Sequence, residues 1–303
     1  MQMNQDQNPM ILLQSIRHIR IPVLLLVLAY LLSGVLLFGQ AQAARVDEAL
    51  TAVCGESEER ASYSERLQLI HRLPSNLAQE QLERCQEFLE SPLAGQTLPD
   101  LEFNGLKNDM VLALLRQKEG LAELAELLAR MSRAPETDAT WRDYCVQFLG
   151  KCYPAIADRD SREAMGGALW EALGTRRASS CAGAAGRQLM SLSRSFREFP
   201  PEEVSAAALE ALRAPVCSDG SRAALLQVCA VLGDPAALPD ARALASSEAT
   251  PPGVRASAVA AVGMLGDASD LPFLRRLAAS GGSAAPPARA AIARLTAEPP
   301  ARK

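Results

Sequence analysis

The chain has 303 residues, a formal net charge of −4, a pI near 5.5, and a composition that is 49% apolar but only 4% aromatic. That length and apolar content allow one long repeat array or two compact domains with a sizeable core, and the missing basic excess argues against a nucleic-acid binder. Alanine supplies much of the apolar content, and small side chains let helix axes approach closely, which suits packed helices better than a sandwich of aromatic and β-branched strands.

Arg17, His18 and Arg20 lead into an uncharged apolar run from Ile21 to Gly39, followed by Ala41-Gln42-Ala43. A basic flank, an apolar core and small residues at a peptidase site form an export signal. The run is also long enough to span a bilayer. Residues 1–43 are therefore expected to be either a signal peptide, cut after Ala43, or an N-terminal transmembrane anchor. In both cases the basic flank holds the N-terminus inside. The remainder is expected outside the cytoplasm, in the periplasm or cell envelope, with membrane contact only through residues 21–39 if they are retained.

Residues 44–103 form an acidic helical region. From Val46 to Phe103 there are twelve acidic and four basic residues, whereas from Thr175 onward fifteen basic residues meet eleven acidic ones. This asymmetry either orients a partner or describes two solvated faces. Beyond Val46, apolar residues recur at three- and four-residue spacing, with Gly, Pro and Ser as punctuation and no alternating strand pattern. The spacing predicts helices over Val46–Cys54, Ser62–Arg72 and Leu77–Leu89, then a loop over 91–103 around two prolines. Helices follow over Asn104–Gln117, Leu121–Met131, Thr137–Leu149, Ser161–Leu173, Ser180–Ser193 and Pro201–Leu212. The last five are Arg222–Leu232, Leu238–Ser246, Val254–Leu265, Leu271–Ala279 and Pro287–Leu295, before a disordered tail over 298–303.

The C-terminal third repeats itself. Ser221-Arg222 opens an alanine-rich helix that ends at Leu232-Gly233-Asp234, and Leu238-Pro239 opens the next; Val254-Arg255, Leu265-Gly266-Asp267 and Leu271-Pro272 repeat the pattern. Arg222 with Arg255, Gly233 with Gly266 and Pro239 with Pro272 all keep one and the same offset, and a third start at Arg289 follows Arg255 at almost that offset. Gly-Asp stops one helix and caps the approach to the next. Leu-Pro starts the second helix, where a missing N–H costs nothing. A lone hairpin of this kind cannot bury its apolar face, so hairpins stack.

This pattern resembles the HEAT repeat, in the short form also found in phycobilin-lyase-like proteins. The match is close over 218–297, looser over 136–213 and weak over 104–134. The resemblance implies an all-α fold, an α-solenoid of stacked antiparallel hairpins (HEAT/armadillo-like superhelix) over 104–297. It also implies a polar ladder between hairpins, assigned to Arg222, Arg255 and Arg289 with Asp219, Asp234 and Asp267. The His-Glu metal motifs of hydroxylating HEAT enzymes are absent.

Export makes disulfides permissible. Of the seven cysteines, Cys54 with Cys85 and Cys181 with Cys217 are the expected pairs, and Cys229, inside an apolar helix, is the expected free thiol. Cys145 and Cys152 would stand too far apart in one continuous helix for a bridge. No Cys-x-x-Cys occurs and only His71 follows the export segment, so no metal site is expected. His71 ends a helix before Pro74, where a cation is favourable without catalysis, and no Gly-x-Ser-x-Gly or phosphate-loop motif is present.

Trp141 and Trp170 lie in the aromatic middle segment, and Phe273, Arg275 and Arg276 on the second helix of a repeat, a position that often lines a concave face. These five are the candidate partner-binding surface, set against core filling for the aromatics and a solvated face for the arginines. The expected function is a protein-binding scaffold or adaptor that is not an enzyme, with no cofactor and no nucleic acid. The alternatives are a HEAT-type lyase-like enzyme or cofactor-handling protein, and a membrane-tethered structural envelope protein.

Overall fold

The computed structural model describes residues 40–55, 61–94, 96–174 and 181–297. Residues 1–39 and 298–303 lie outside them, and with them the apolar run 21–39 and the expected tail. The described residues are all-helical, with no strand among them. None of their helices is long and apolar enough to cross a membrane. The chain divides into two compact units after Leu73.

The first unit contains α1 (40–54) and α2 (Tyr63–His71). Val46, Leu50 and Val53 form one buried stripe of α1. A reciprocal cap starts α2: Ser62 Oγ accepts from the Glu65 N–H, and Ser62 N–H donates to Glu65 Oε2 at 2.8 Å. This arrangement satisfies donors that a helix start otherwise leaves open.

Among the described residues, the second unit contains twelve α-helices: α3 (Gln79–Glu90), α4 (Asp100–Leu114), α5 (Leu121–Arg133), α6 (Ala139–Cys152), α7 (Arg159–Leu173), α8 (Ala182–Leu192), α9 (Pro201–Arg213), α10 (Asp219–Leu232), α11 (Leu238–Ser246), α12 (Pro252–Leu265), α13 (Leu271–Ser280) and α14 (Ala285–Thr296). The expected loop over 91–103 ends early. Pro99 stands at the N-cap of α4, with Asp100 and Glu102 in the first turn, so a proline read as a loop signal instead opens a helix whose N-terminus favours acidic residues.

Each even-numbered helix from α6 onward packs against the even-numbered helices before and after it, giving a continuous layer α6–α8–α10–α12–α14. Odd helices lean on this layer, in the close pairs α5/α6, α7/α8, α9/α10, α11/α12 and α13/α14. The close pairs fall across the boundary between sequence repeats; within a repeat, α10 meets α11 chiefly through the 3-10 turn Pro235–Ala237. The equivalent turn Ala268–Asp270 lies one repeat on, between α12 and α13. Burial repeats with the same offset: Ser221, Ala224, Leu225 and Val228 are buried, and so are Val254, Ser257, Ala258 and Ala261.

Small residues set the spacing of the even layer. A Cβ on Gly183 of α8 would stand 2.8 Å from the Ser221 Cα of α10, and one on Gly263 of α12 would stand 2.7 Å from the Ala291 Cα of α14. A Cβ on Gly150 of α6 would run into the Gln188 side chain of α8. The two Gly-Asp stops differ in how they end their helices. Gly233 adopts φ +74 as a left-handed cap, whereas Gly266 is extended and is glycine because a Cβ would meet Asp270 Oδ2 and the Val262 carbonyl.

Gly263→Ala is therefore expected to destabilise by roughly 1–3 kcal/mol in urea melts, since backbone cannot yield as a flexible side chain does. Gly253→Ala, whose Cβ meets nothing within 4 Å, is expected to be neutral or to stabilise by up to about 1 kcal/mol through helix propensity.

Candidate functional site

An ionic ladder is present, on the odd helices. Arg130 of α5 pairs with Glu90 of α3, and Arg133 of α5 places Nε 2.7 Å from Glu171 of α7. Arg213 of α9 places Nη2 2.8 Å from Asp240 of α11. Arg242 of α11 grips Asp270, at the start of α13, through two parallel bonds of 2.8 and 2.9 Å.

The expected ladder residues form other contacts, some within their own helix or turn and some with a neighbouring helix. Arg222 stands 3.9 Å from Asp219 in its own helix, Arg255 donates to the Ala245 carbonyl at 3.0 Å, and Arg289 is exposed. Asp234 caps the 3-10 turn through Ala236 N–H and also accepts from Ser205 Oγ, while Asp267 caps through Ser269 N–H. Opposite charges 27 and 28 residues apart, Arg213 with Asp240 and Arg242 with Asp270, are the sequence signal that points to the ladder formed.

The five expected surface residues are not brought together. Trp141, only 1% exposed, belongs to the core of α6: its ring fills the space beside α4. Trp170 of α7 is half-buried and tilted against Phe199, with centroids 6.3 Å apart. Phe273 is half-buried on α13, and Arg275 and Arg276 are exposed beside it.

Where a Cys181–Cys217 bridge is expected, Cys217 is a half-buried thiol that donates to the Ser218 carbonyl at 3.6 Å, and Cys181 is buried just before α8. Cys85 is buried in α3, and Cys54, in the first unit, is half-buried. Cys229 is buried in α10, its thiol pushed up to about 11 by burial, which keeps it protonated and inert. His71 is exposed in the last turn of α2.

Sequence reasoning missed the polar cluster between α4 and α6. Lys107 is 2% exposed. Its Nζ donates to the Ser91 carbonyl at 2.5 Å and lies 5.2 Å from the Phe103 centroid and 5.3 Å from the Trp141 ring. Asp138 Oδ1 gathers Asn104 Nδ2, Thr140 N–H and Trp141 N–H, each at 3.0 Å. Asn104 Oδ1 and Trp141 Nε1 are buried without a hydrogen-bond partner among the described residues. Burial lowers the Lys107 amine to about 8, partly opposed by the neighbouring Cys145 and Asp138. The aromatic walls stabilise the cation, yet they also close it off. This amine becomes substantially neutral only near pH 8.

A groove of about 710 Å³ runs beside α9. Its floor is apolar, with Pro201, Leu209 and Leu232, and Glu202 and Glu210 stand on its wall. Its remaining polar groups are committed: Asp234 to Ser205 and Ala236, Arg213 to Asp240.

Neither a known protein family, nor a curated protein, nor a solved structure matches this chain.

Two outcomes are expected. The Lys107 amine titrates lower in the folded than in the unfolded chain, so the folded state binds fewer protons between about pH 8 and 10.5 and gains stability as pH rises through that window. Relative to Lys107→Met, the wild type should gain roughly 2 kcal/mol between about pH 7 and 9.5 in urea melts. Along the ladder, Arg242→Gln should cost about 1–2 kcal/mol because it strips a side chain, Asp270, that is only 7% exposed. Arg130→Gln, in a pair 65% and 39% exposed, should cost under about 0.5 kcal/mol.

Proposed function

We propose that this chain is an extracytoplasmic HEAT-type scaffold, an α-solenoid that holds or adapts a protein partner without catalysing a reaction. The observation that carries this reading is the repeated exposure of the even layer. Ala223, Gln227 and Val231 of α10 reach solvent in a stripe at four-residue spacing, and Ala256, Ala260 and Met264 do so on α12, one repeat later. Position after position recurs on neighbouring helices, which produces an extended surface of the kind that repeat proteins offer to other chains. The sequence of the N-terminus, with Arg17 and Arg20 before an uncharged run and Ala41-Gln42-Ala43 after it, supports export of this surface.

Lys107 does not favour the lyase-like alternative. A nucleophilic amine must reach its substrate, and this one is enclosed by Phe103, Trp141 and Ser91.

The test is in-cell crosslinking with the full-length chain tagged at Lys303, followed by mass spectrometry. The expected outcome is one dominant protein crosslinked to several helices of the second unit. Recovery of nothing above background from the tagged chain would sink the scaffold reading.

A further inference from the structure

The two helical layers are charged differently. The odd helices carry most of the carboxylates: α3 holds Glu80, Glu83, Glu87 and Glu90, and α9 holds Glu202, Glu203 and Glu210. The even layer is nearly free of them from α6 onward. Helices α8, α12 and α14 contain no acidic residue, α10 has only Asp219 at its first position, and α6 has only Asp143. Asp143 accepts a hydrogen bond from Gln147 Nε2 at 2.8 Å. Cations remain on the same helices: Lys151, Arg187, Arg289 and Arg294 are exposed. Between them lie small and apolar side chains, with Val231 44% exposed and Met264 partly so. A chain of net charge −4 thus keeps one layer of helices basic, part-apolar and almost without carboxylates.

From this segregation we infer that the face built by α6, α8, α10, α12 and α14 docks an acidic, part-apolar segment of a partner protein. The inference rests on the scaffold reading and adds the chemistry of what is held. A basic face with separated cations attracts carboxylates and repels cationic segments, and the alanine and methionine patches between the cations reward burial of aliphatic side chains. Extended polyanions fit less well, because the carboxylates of the odd layer repel a nucleic acid long enough to leave the face. An anionic membrane fits less well too: these helices present no exposed aromatic to insert, since Trp141 and Phe148 of α6 are buried and Tyr144 is half-buried.

Two measurements on the full-length chain test this. In cells, a photo-crosslinking residue is placed at Gln227 or Ala260 on the even layer, and at Phe273 on the odd layer as a control. In solution, two labelled amphipathic peptides are titrated by anisotropy onto the detergent-solubilised chain, one of glutamate, alanine and leucine and one with lysine replacing glutamate. Vesicles with and without phosphatidylglycerol are assayed in parallel. The expected result is capture from Gln227 and Ala260 of a partner segment with net negative charge, and binding of the glutamate peptide but not its lysine counterpart. That binding should weaken with salt and by about tenfold or more in the triple variant Arg187→Glu, Arg289→Glu, Arg294→Glu. Arg275→Glu with Arg276→Glu should leave it unchanged, and both variants should keep the wild-type melting temperature.

Equal binding of the two peptides, indifference to the triple reversal in a variant that melts normally, or binding to phosphatidylglycerol vesicles in preference to the peptide would overturn the inference. Capture at Phe273 alone overturns it while sparing the scaffold reading; capture at none of the three positions removes both.

Discussion

The close approach of alternate helices through glycine, alanine and serine governs the second unit. At Gly183 and Gly263 the neighbouring helix backbone occupies the space a Cβ would need. Contact at this range brings main chain against main chain, where dispersion is dense and no side-chain rotamer is lost. It also fixes which residues of each even helix turn inward. Once Ala224, Leu225 and Val228 are committed to neighbouring helices, Ala223, Gln227 and Val231 have only solvent to face. The surface is a by-product of the packing, so its period is the packing's period.

The odd helices meet a different condition. They do not approach their odd-numbered neighbours closely, save for α5 and α7, and the gap is crossed by arginine. Its length and planar fork suit that role where a carboxylate can be gripped at two points, as Arg242 grips Asp270. Lys107 shows the opposite use of a cation. It is packed into the body of the unit against rings and a carbonyl, at a cost in desolvation that its partners only partly return.

Helix periodicity, the C-terminal repeat and the Gly-Asp stops were readable from residue order, because each is a local signal that the packing reinforces. The start of α4 was not: Pro92 and Pro99 together suggested a loop, although proline before an acidic first turn also opens helices. The family resemblance puts the ladder on Arg222, Arg255 and Arg289, while the arginines that form ion pairs between helices stand on the odd helices, a distinction that a single sequence does not contain. The burial of Trp141 agrees with the core filling weighed for the aromatics, whereas that of Lys107 was hidden for a related reason. Its contact with Trp141 joins positions far apart in the chain, on α4 and α6, and it looks unremarkable among its immediate neighbours.

One layer locked by backbone contact and another spanned by ion pairs give the unit unequal stiffness. The glycine-packed side resists both stretching and compression, since a change in axis spacing there opens voids or drives atoms together. The bridged side can lengthen by rotating arginine torsions, and ions in the surrounding medium weaken its restoring force while leaving the packed side untouched. Bending is therefore concentrated about the even layer as a fixed hinge line, and the salt content of the compartment sets how stiff the spring opposite it is.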